Sequence, residues 1–505
     1  MKLNNIIALA LAASALGGCN KNYLNINKNP SALPTSTPDY VFTAASNRTA
    51  ALLGANEIGS YWSGQWTQSS TYILVAANFQ YVFNNTNFNF WDTWYDILGD
   101  FQFVINNAVD KGQPFLKGPA RVMKAQIFQN LVDLYGNVPY SDALKGVGSL
   151  APKFDDQKAI YENLIVQLDS AITEIKANAF TGPGRGADIV LKGVNADWVR
   201  FANSLKLRIL MRQSRIAGRD AYITTEIAKA VATTEGFITA DVSSSPGYVA
   251  SAGKMNPFYE NWGYNASGTI QALARFPRPT KFLFDALIAT NDTFRMKRMF
   301  YARGGENAAT PGVSTQPEIV ANYVGVPFGA SSGYLSQNTS YIGPSIITRN
   351  VFDKRMMLMT AAESYFLLAE AKQRYPTLAL TGTSKSYYES GVKASFTLTG
   401  TSQTAATVLL TSGKDLADWD ASPDKLKAIW MQKWIAMVNY NGLESWAEYR
   451  RTNFPVTPAS ASAPAGQKLP LRLFYPSSEF GSNTANVNAQ GTIDVFATRI
   501  FWDVD

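Results

Sequence analysis

Read for hydrophobic spacing, the chain resolves into helical stretches that tend to come in pairs. "FWDTWYDILGDFQFVINNAVD" (90–110) and "GPARVMKAQIFQNLVDLY" (118–135) form the first pair, joined by a turn containing Gly and Pro. The second is "DDQKAIYENLIVQLDSAITEIKANA" (155–179) with "NADWVRFANSLKLRILMRQSR" (195–215). The third is "TAAESYFLLAEAKQRY" (360–375) with "KSYYESGVKASF" (385–396), and the fourth "SPDKLKAIWMQKWIAMV" (422–438) with "NGLESWAEYRRT" (441–452). Ser422, followed by Pro423 and Asp424, predicts an N-cap, and Thr37 before Pro38 predicts another. Small residues at Ala362, Ala369 and Ala371 would let a neighbouring helix approach. The pairing resembles tetratricopeptide stacking, but the period is irregular and no repeat consensus is clear.

The periodicity fails between residues 236 and 358, where Gly, Ser, Asn and aromatics dominate, as in "NPFYENWGYNASG" and "YVGVPFGASSGYLSQNTSYIGP". So long a stretch inside a compact domain predicts functional loops. A second irregular stretch, 453–495, is expected to wrap the surface. No linker divides the chain, which predicts one domain over 39–505.

Composition sharpens this. Hydrophobic residues make up 46% and aromatics 12%, so a large core is available. Charged residues are only 16%, which leaves a surface rich in uncharged polar groups suited to uncharged polar ligands. Net charge is +7, without a block of like charges. On the 195–215 helix, Arg200, Arg208, Arg212 and Arg215 fall within roughly 120° of one another at helical spacing. They form either a phosphate-binding face or, the simpler reading, arginines paired with carboxylates. Histidine is absent and there is one cysteine, which excludes imidazole and thiolate metal sites and Ser-His-Asp or Cys-His catalysis. No cofactor or metal is expected. "DVSSSPG" (241–247) is oxygen-rich but lacks Ca²⁺-loop spacing.

Residues 1–18 read as a signal peptide, with Lys2, the apolar run "IIALALAASAL" and small residues before Cys19. "LGGC" (16–19) resembles the bacterial lipobox, in which the peptide is cut before the cysteine and the cysteine is lipidated. Cys19 is then the first mature residue and the lipid attachment point, anchored by several acyl chains at about 0.8 kcal/mol per buried CH₂. Residues 19–38, polar and rich in Asn and Pro, read as a tether.

Seven motifs in order carry a resemblance to the SusD/RagB family of nutrient-binding outer-membrane lipoproteins of Bacteroidota: "LNINKNP" (24–30), "LYGNVPYSDAL" (134–144), "WVRFANSLKLR" (198–208), "ESYFLLAEA" (363–371), "QKW" (432–434), "GLESWAEYRR" (442–451) and "YPSSE" (475–479). The C-terminal "TRIFWD" (498–503) extends it. The resemblance implies a mainly α fold, with four tetratricopeptide-like helix pairs and long irregular loops forming the ligand surface. It implies a partner, a SusC-like TonB-dependent transporter on which the protein sits as a lid. Ligands in that family are mostly oligosaccharides, with peptides in some members; no ligand-binding residues transfer. "NKN" (20–22) lacks the acidic residues that often follow the lipidated cysteine of surface-exposed lipoproteins in this phylum, a departure that bears on the expected cell-surface location.

Sugar rings stack on aromatic faces while amides and carboxylates meet their hydroxyls. Two stretches offer this chemistry. The first is 61–91, with Trp62, Trp66, Tyr72 and Tyr81; the second is "NPFYENWGYN" (256–265), with Tyr259, Asn261, Trp262 and Tyr264, followed by Arg275. Each of these residues can instead be core. Trp91, Trp94, Trp198, Trp434 and Trp446 lie in periodic helices and are expected in the core. A rival function is carboxylate-dependent glycoside hydrolysis, which needs two carboxylates flanking the bond. Asp92 with Asp96, Asp155 with Asp156, or Glu444 with Glu448 are the pairs available, all at helical positions where caps and charge pairs are the simpler reading.

Overall fold

The computed structural model describes residues 36–54, 57–71, 76–303 and 316–504. Cys19, the signal peptide, most of the tether and Tyr72 lie outside the described residues. Residues Pro38–Asp505 form one compact unit.

The helices run α1 (Pro38–Gly54), α2 (Glu57–Trp62), α3 (Ala76–Gln80), α4 (Trp91–Asn107), α5 (Lys117–Tyr135), α6 (Gln157–Ala177), α7 (Asn195–Arg212), α8 (Asp220–Val231) and α9 (Pro257–Trp262). They continue with α10 (Lys281–Ala289), α11 (Thr293–Met299), α12 (Ala361–Arg374), α13 (Ser384–Thr399), α14 (Gln403–Leu410), α15 (Lys425–Ala436), α16 (Gly442–Thr452), α17 (Ser477–Ser482) and α18 (Thr484–Asn488). Local chemistry starts and stops them. The Asp156 carboxylate accepts from the Ala159 amide to cap α6, and Thr383 with Ser386 forms a capping box on α13. Gly400, left-handed at φ 73°, ends α13.

Three predicted pairs pack as expected: α4 with α5, α6 with α7, and α12 with α13. In α6 the buried positions Ile160, Tyr161, Leu164, Ile165, Leu168, Ala171, Ile172 and Ile175 follow the helical period and close over α5 and α7. In the fourth pair α15 lies mainly on α12 and α13, α16 lies mainly on α2, and the two meet only slightly. The predicted cap at Ser422 is displaced. Asp424 caps α15 by accepting from the Lys427 amide, while Ser422 donates to the Asp418 carbonyl. The helix therefore starts two residues later than the sequence predicts, at Lys425.

The 236–358 stretch holds more regular structure than its sequence predicts. It contains α9, α10, α11 and five short strands. Antiparallel two-stranded ladders join distant segments: β1 (Trp66–Gln68) with β5 (Pro277–Pro279), β2 (Val138–Pro139) with β3 (Phe154–Asp155), β4 (Val242–Ser244) with β8 (Met356–Met359), and β6 (Phe300–Tyr301) with β7 (Tyr341–Ile342). Val242–Ser244 of "DVSSSPG" form β4, so that part of its backbone is committed to a ladder. The short helices are hard to read because runs such as "KFLFDALIA" span only nine residues, too few turns for a period to stand out.

The arginine stripe of α7 turns inward. Arg208 forms a two-pronged pair with Glu363 at 2.6 and 2.8 Å, and Arg212 bridges Glu444 and Glu448. Arg200 pairs with Asp197, and Arg215 donates to the Arg451 carbonyl. This is the carboxylate-pairing reading of the stripe, and the phosphate-face reading falls with it. The predicted core tryptophans Trp91, Trp94, Trp198, Trp434 and Trp446 are all buried.

Candidate ligand-binding site

Helices α2 and α16 cross where Gly59 meets Gly442. A Cβ on Gly59 would lie 2.3 Å from the Gly442 backbone, so only a residue without a side chain allows this approach. The crossing brings Tyr61 and Trp62 of α2 beside Tyr449 and Arg450 of α16. Asn453, left-handed at φ 52°, ends α16 and turns the chain into the irregular 453–471 segment. These pieces enclose a cavity of about 380 Å³, completed by Phe328, Gln467, Lys468, Arg499 and Asp503.

The cavity floor is aromatic. Trp62 is buried against Trp446, with ring centroids 4.9 Å apart and planes at 72°, and its Nε1 donates to the Asn78 carbonyl at 2.9 Å. Tyr81 packs edge-on to Trp62 at 6.4 Å. Its backbone is left-handed, φ 58°, a conformation rare for a bulky residue and concentrated at functional sites. The Tyr81 and Tyr449 hydroxyls have no hydrogen-bond partner among the described residues, and both side chains line the cavity. Burial, and then the neighbouring Tyr449, push the Tyr81 hydroxyl well above its ordinary pKa, so it stays protonated and able to donate.

Arg450 forms the inner wall. Its guanidinium sits 4.0 Å over the Trp446 ring and 4.9 Å from that of Trp502, and its Nη1 donates to the carbonyls of Asp133 and Leu471, both at 2.7 Å. Arg499 pairs with Asp503 at 2.5 Å at the edge, and Lys468 is exposed.

The two sequence-derived aromatic clusters are not brought together here. Trp62 and Tyr81 line the cavity; the remaining described candidates do not. Trp66 is a core residue whose Nε1 donates to Asn439 at 2.9 Å. Tyr259 is buried, stacks near Tyr264 at 5.8 Å and accepts from the Asn350 amide through its hydroxyl. Trp262 and Tyr264 are buried, Asn261 is exposed and Arg275 half-buried. The burial has a simple cause: "NPFYENW" forms the capped helix α9, whose apolar face closes on the core instead of standing open as a loop. Sequence reading missed Tyr61, Tyr449, Arg450, Lys468 and Arg499. The available signal was the i, i+4 spacing of Trp446 and Arg450, which stacks guanidinium on indole along one helix face.

The nominated carboxylate pairs are engaged elsewhere. Glu444 and Glu448 lie in the buried ion network, and Asp156 caps α6. Asp155 accepts from the Tyr140 and Ser141 amides, Asp92 accepts from Asn89 and Ser478, and Asp96 faces Arg48.

No described helix is long and apolar enough to cross a membrane. No curated protein matches the chain. Among solved structures, a SusD homolog from Bacteroides uniformis superposes with a TM-score of 0.72 at 24% identity, covering 92% of this chain and 100% of its own. One from Bacteroides fragilis gives 0.75 at 21%, covering 93% and 99%. A chitin-binding SusD homolog from Flavobacterium johnsoniae gives 0.70 at 24%, covering 93% and 99%. The SusD-like_2 family model, described as starch-binding and associating with the outer membrane, matches residues 27–476. The chain therefore belongs to the SusD-like family and has its mainly α fold.

Proposed function

We propose that the protein is a non-catalytic, lipid-anchored outer-membrane protein that captures glycan nutrient at the cell surface. It holds the glycan in the cavity between α2, α16 and the 453–471 segment and passes it to a SusC-like TonB-dependent transporter. The observation that carries the reading is the cavity's make-up: a tryptophan–tyrosine floor beside two tyrosine hydroxyls without partners among the described residues, the pairing of apolar ring face and hydrogen-bond donor that a sugar demands. Membership of a starch-binding, outer-membrane-associated family and the likeness to a chitin-binding homolog support it. So does the engagement of the nominated carboxylates in caps, hydrogen bonds to neighbouring groups or ion pairs.

Calorimetry of the purified protein against an oligosaccharide panel tests it. Binding of at least one glycan without turnover is expected, lost in Ala459→Trp, which fills the cavity from an exposed position on its rim. Binding only of peptides, or hydrolysis abolished by a carboxylate substitution, would overturn it. Cys19→Ser should release the protein from the membrane fraction, and a membrane-impermeant label on intact cells reads the face on which it is displayed.

A further inference from the structure

Two adjacent arginines on α16 differ in their counter-charge. Arg451 is buried against Glu370 and Glu448. Arg450 is also buried, yet forms no ion pair among the described residues; its fixed partners are three backbone carbonyls, those of Asp133, Leu471 and Trp446, and two indole faces. Its Nη2 is buried with no hydrogen-bond partner among the described residues, and the side chain lines the cavity. A buried guanidinium without a hydrogen-bonded counter-ion is costly, and burial lowers the Arg450 pKa to about 10 even with Asp133 and Asp503 near enough to raise it. The same cavity is lined by Lys468 and Arg499, and the one carboxylate lining it, Asp503, bonds Arg499.

We infer that this cavity is an acidic-sugar subsite, in which a uronate carboxylate of the bound oligosaccharide is recognised by Arg450 Nη2 with Lys468 and Arg499 at the rim. This rests on the glycan-capture reading and narrows its ligand class. A planar guanidinium donates to a carboxylate in a fixed direction, and inside a cavity such a charge-assisted bond is stronger than one to a neutral hydroxyl. The Tyr81 and Tyr449 hydroxyls beside it supply the donors that the sugar ring's own oxygens require, which favours an acidic glycan over an acidic peptide.

The test is calorimetry of the full chain with tetrasaccharides of oligogalacturonate, alginate and hyaluronan, each beside its carboxyl-reduced counterpart. At least one acidic form is expected to bind tenfold or more tightly than its reduced form, with affinity that falls as salt rises. Because Arg450 also holds backbone carbonyls, the variant is Lys468→Gln with Arg499→Gln, both exposed. It should weaken the acidic ligand about fivefold and leave a reduced ligand unchanged. Equal binding of acidic and reduced forms, or binding of the reduced forms alone, overturns the inference while glycan capture stands. If no glycan of this set or of the neutral panel binds and a C-terminal peptide carboxylate does, both fall together.

Discussion

Helix α16 presents two arginines, one residue apart, to two different interiors. Arg451 faces the helical half, where Arg212, Lys433, Glu370, Glu444 and Glu448 pair by charge, although Arg212 Nε, Lys433 Nζ and Glu444 Oε1 have no hydrogen-bond partner among the described residues. Burial alone would raise the carboxylates there. Instead Arg451 holds Glu370 down to about 2, and Arg451, Lys433 and Arg212 hold Glu448 well below the carboxylate range. Arg450 faces the loop-lined cavity and bonds only carbonyls and indole faces, with the Asp133 and Asp503 carboxylates near but not paired to it. The first environment is closed by the protein itself; the second is left for something else to complete. A network of mutual ion pairs fixes how helices seat on one another, whereas a buried cation without an ion pair that lines a cavity belongs where a ligand arrives.

Substitutions rank the two sides. Arg451→Met takes a hydrogen-bonded cation from two buried carboxylates, Glu370 and Glu448, and should cost about 4 kcal/mol in urea unfolding. Acid should erode the same network. Glu370 has a folded pKa of about 2 against an ordinary 4.5, so its contribution is full above pH 4.5 and is lost as pH falls from there through 2. A denaturation midpoint constant across that window would break the account. Gly59→Ala forces apart the α2–α16 crossing and should cost about 3 kcal/mol, with loss of ligand binding in calorimetry. Arg450→Met removes donors from three carbonyls but breaks no ion pair, for about 2 kcal/mol. Equal losses for Arg450→Met and Arg451→Met would erase the distinction between the two faces. Tyr81→Phe should leave unfolding nearly unchanged while weakening the bound glycan by about 1 kcal/mol, the worth of one hydrogen bond. Smallest is Lys281→Ala, which breaks an exposed pair with Asp285 and should shift stability by less than about 0.5 kcal/mol.

The helical half was legible because its signals are local. Asp156, Thr383 and the apolar positions of α6 lie within a few residues of what they determine, and the arginine stripe of α7 announced partners even where it did not say which. The cavity was legible only in part. Trp62 and Tyr81 stood out as aromatics in polar surroundings, but the same pattern at Tyr259 and Trp262 ended in the core, because a short amphipathic helix and an aromatic loop read alike in sequence. Tyr449 and Arg450 sit in a motif that reads as ordinary helix. Their role depends on Gly59 allowing a crossing with a segment nearly 400 positions away, and no local pattern encodes that.

The cavity's wall draws on Tyr61 near one end of the chain and Asp503 near the other. Ladders such as Trp66 with Pro279 tie its surroundings across more than 200 positions. Helix pairs such as α12–α13 need only neighbours and can form early, while contacts of such sequence separation carry a loop-closure cost that delays them. Binding competence is therefore acquired last. A chain shortened by its final few residues would lose Arg499, Trp502 and Asp503, retaining most of its helices and none of its finished pocket. Under the proposed function, ligand capture would report that segments as far apart as Tyr61 and Asp503 have both reached their fold.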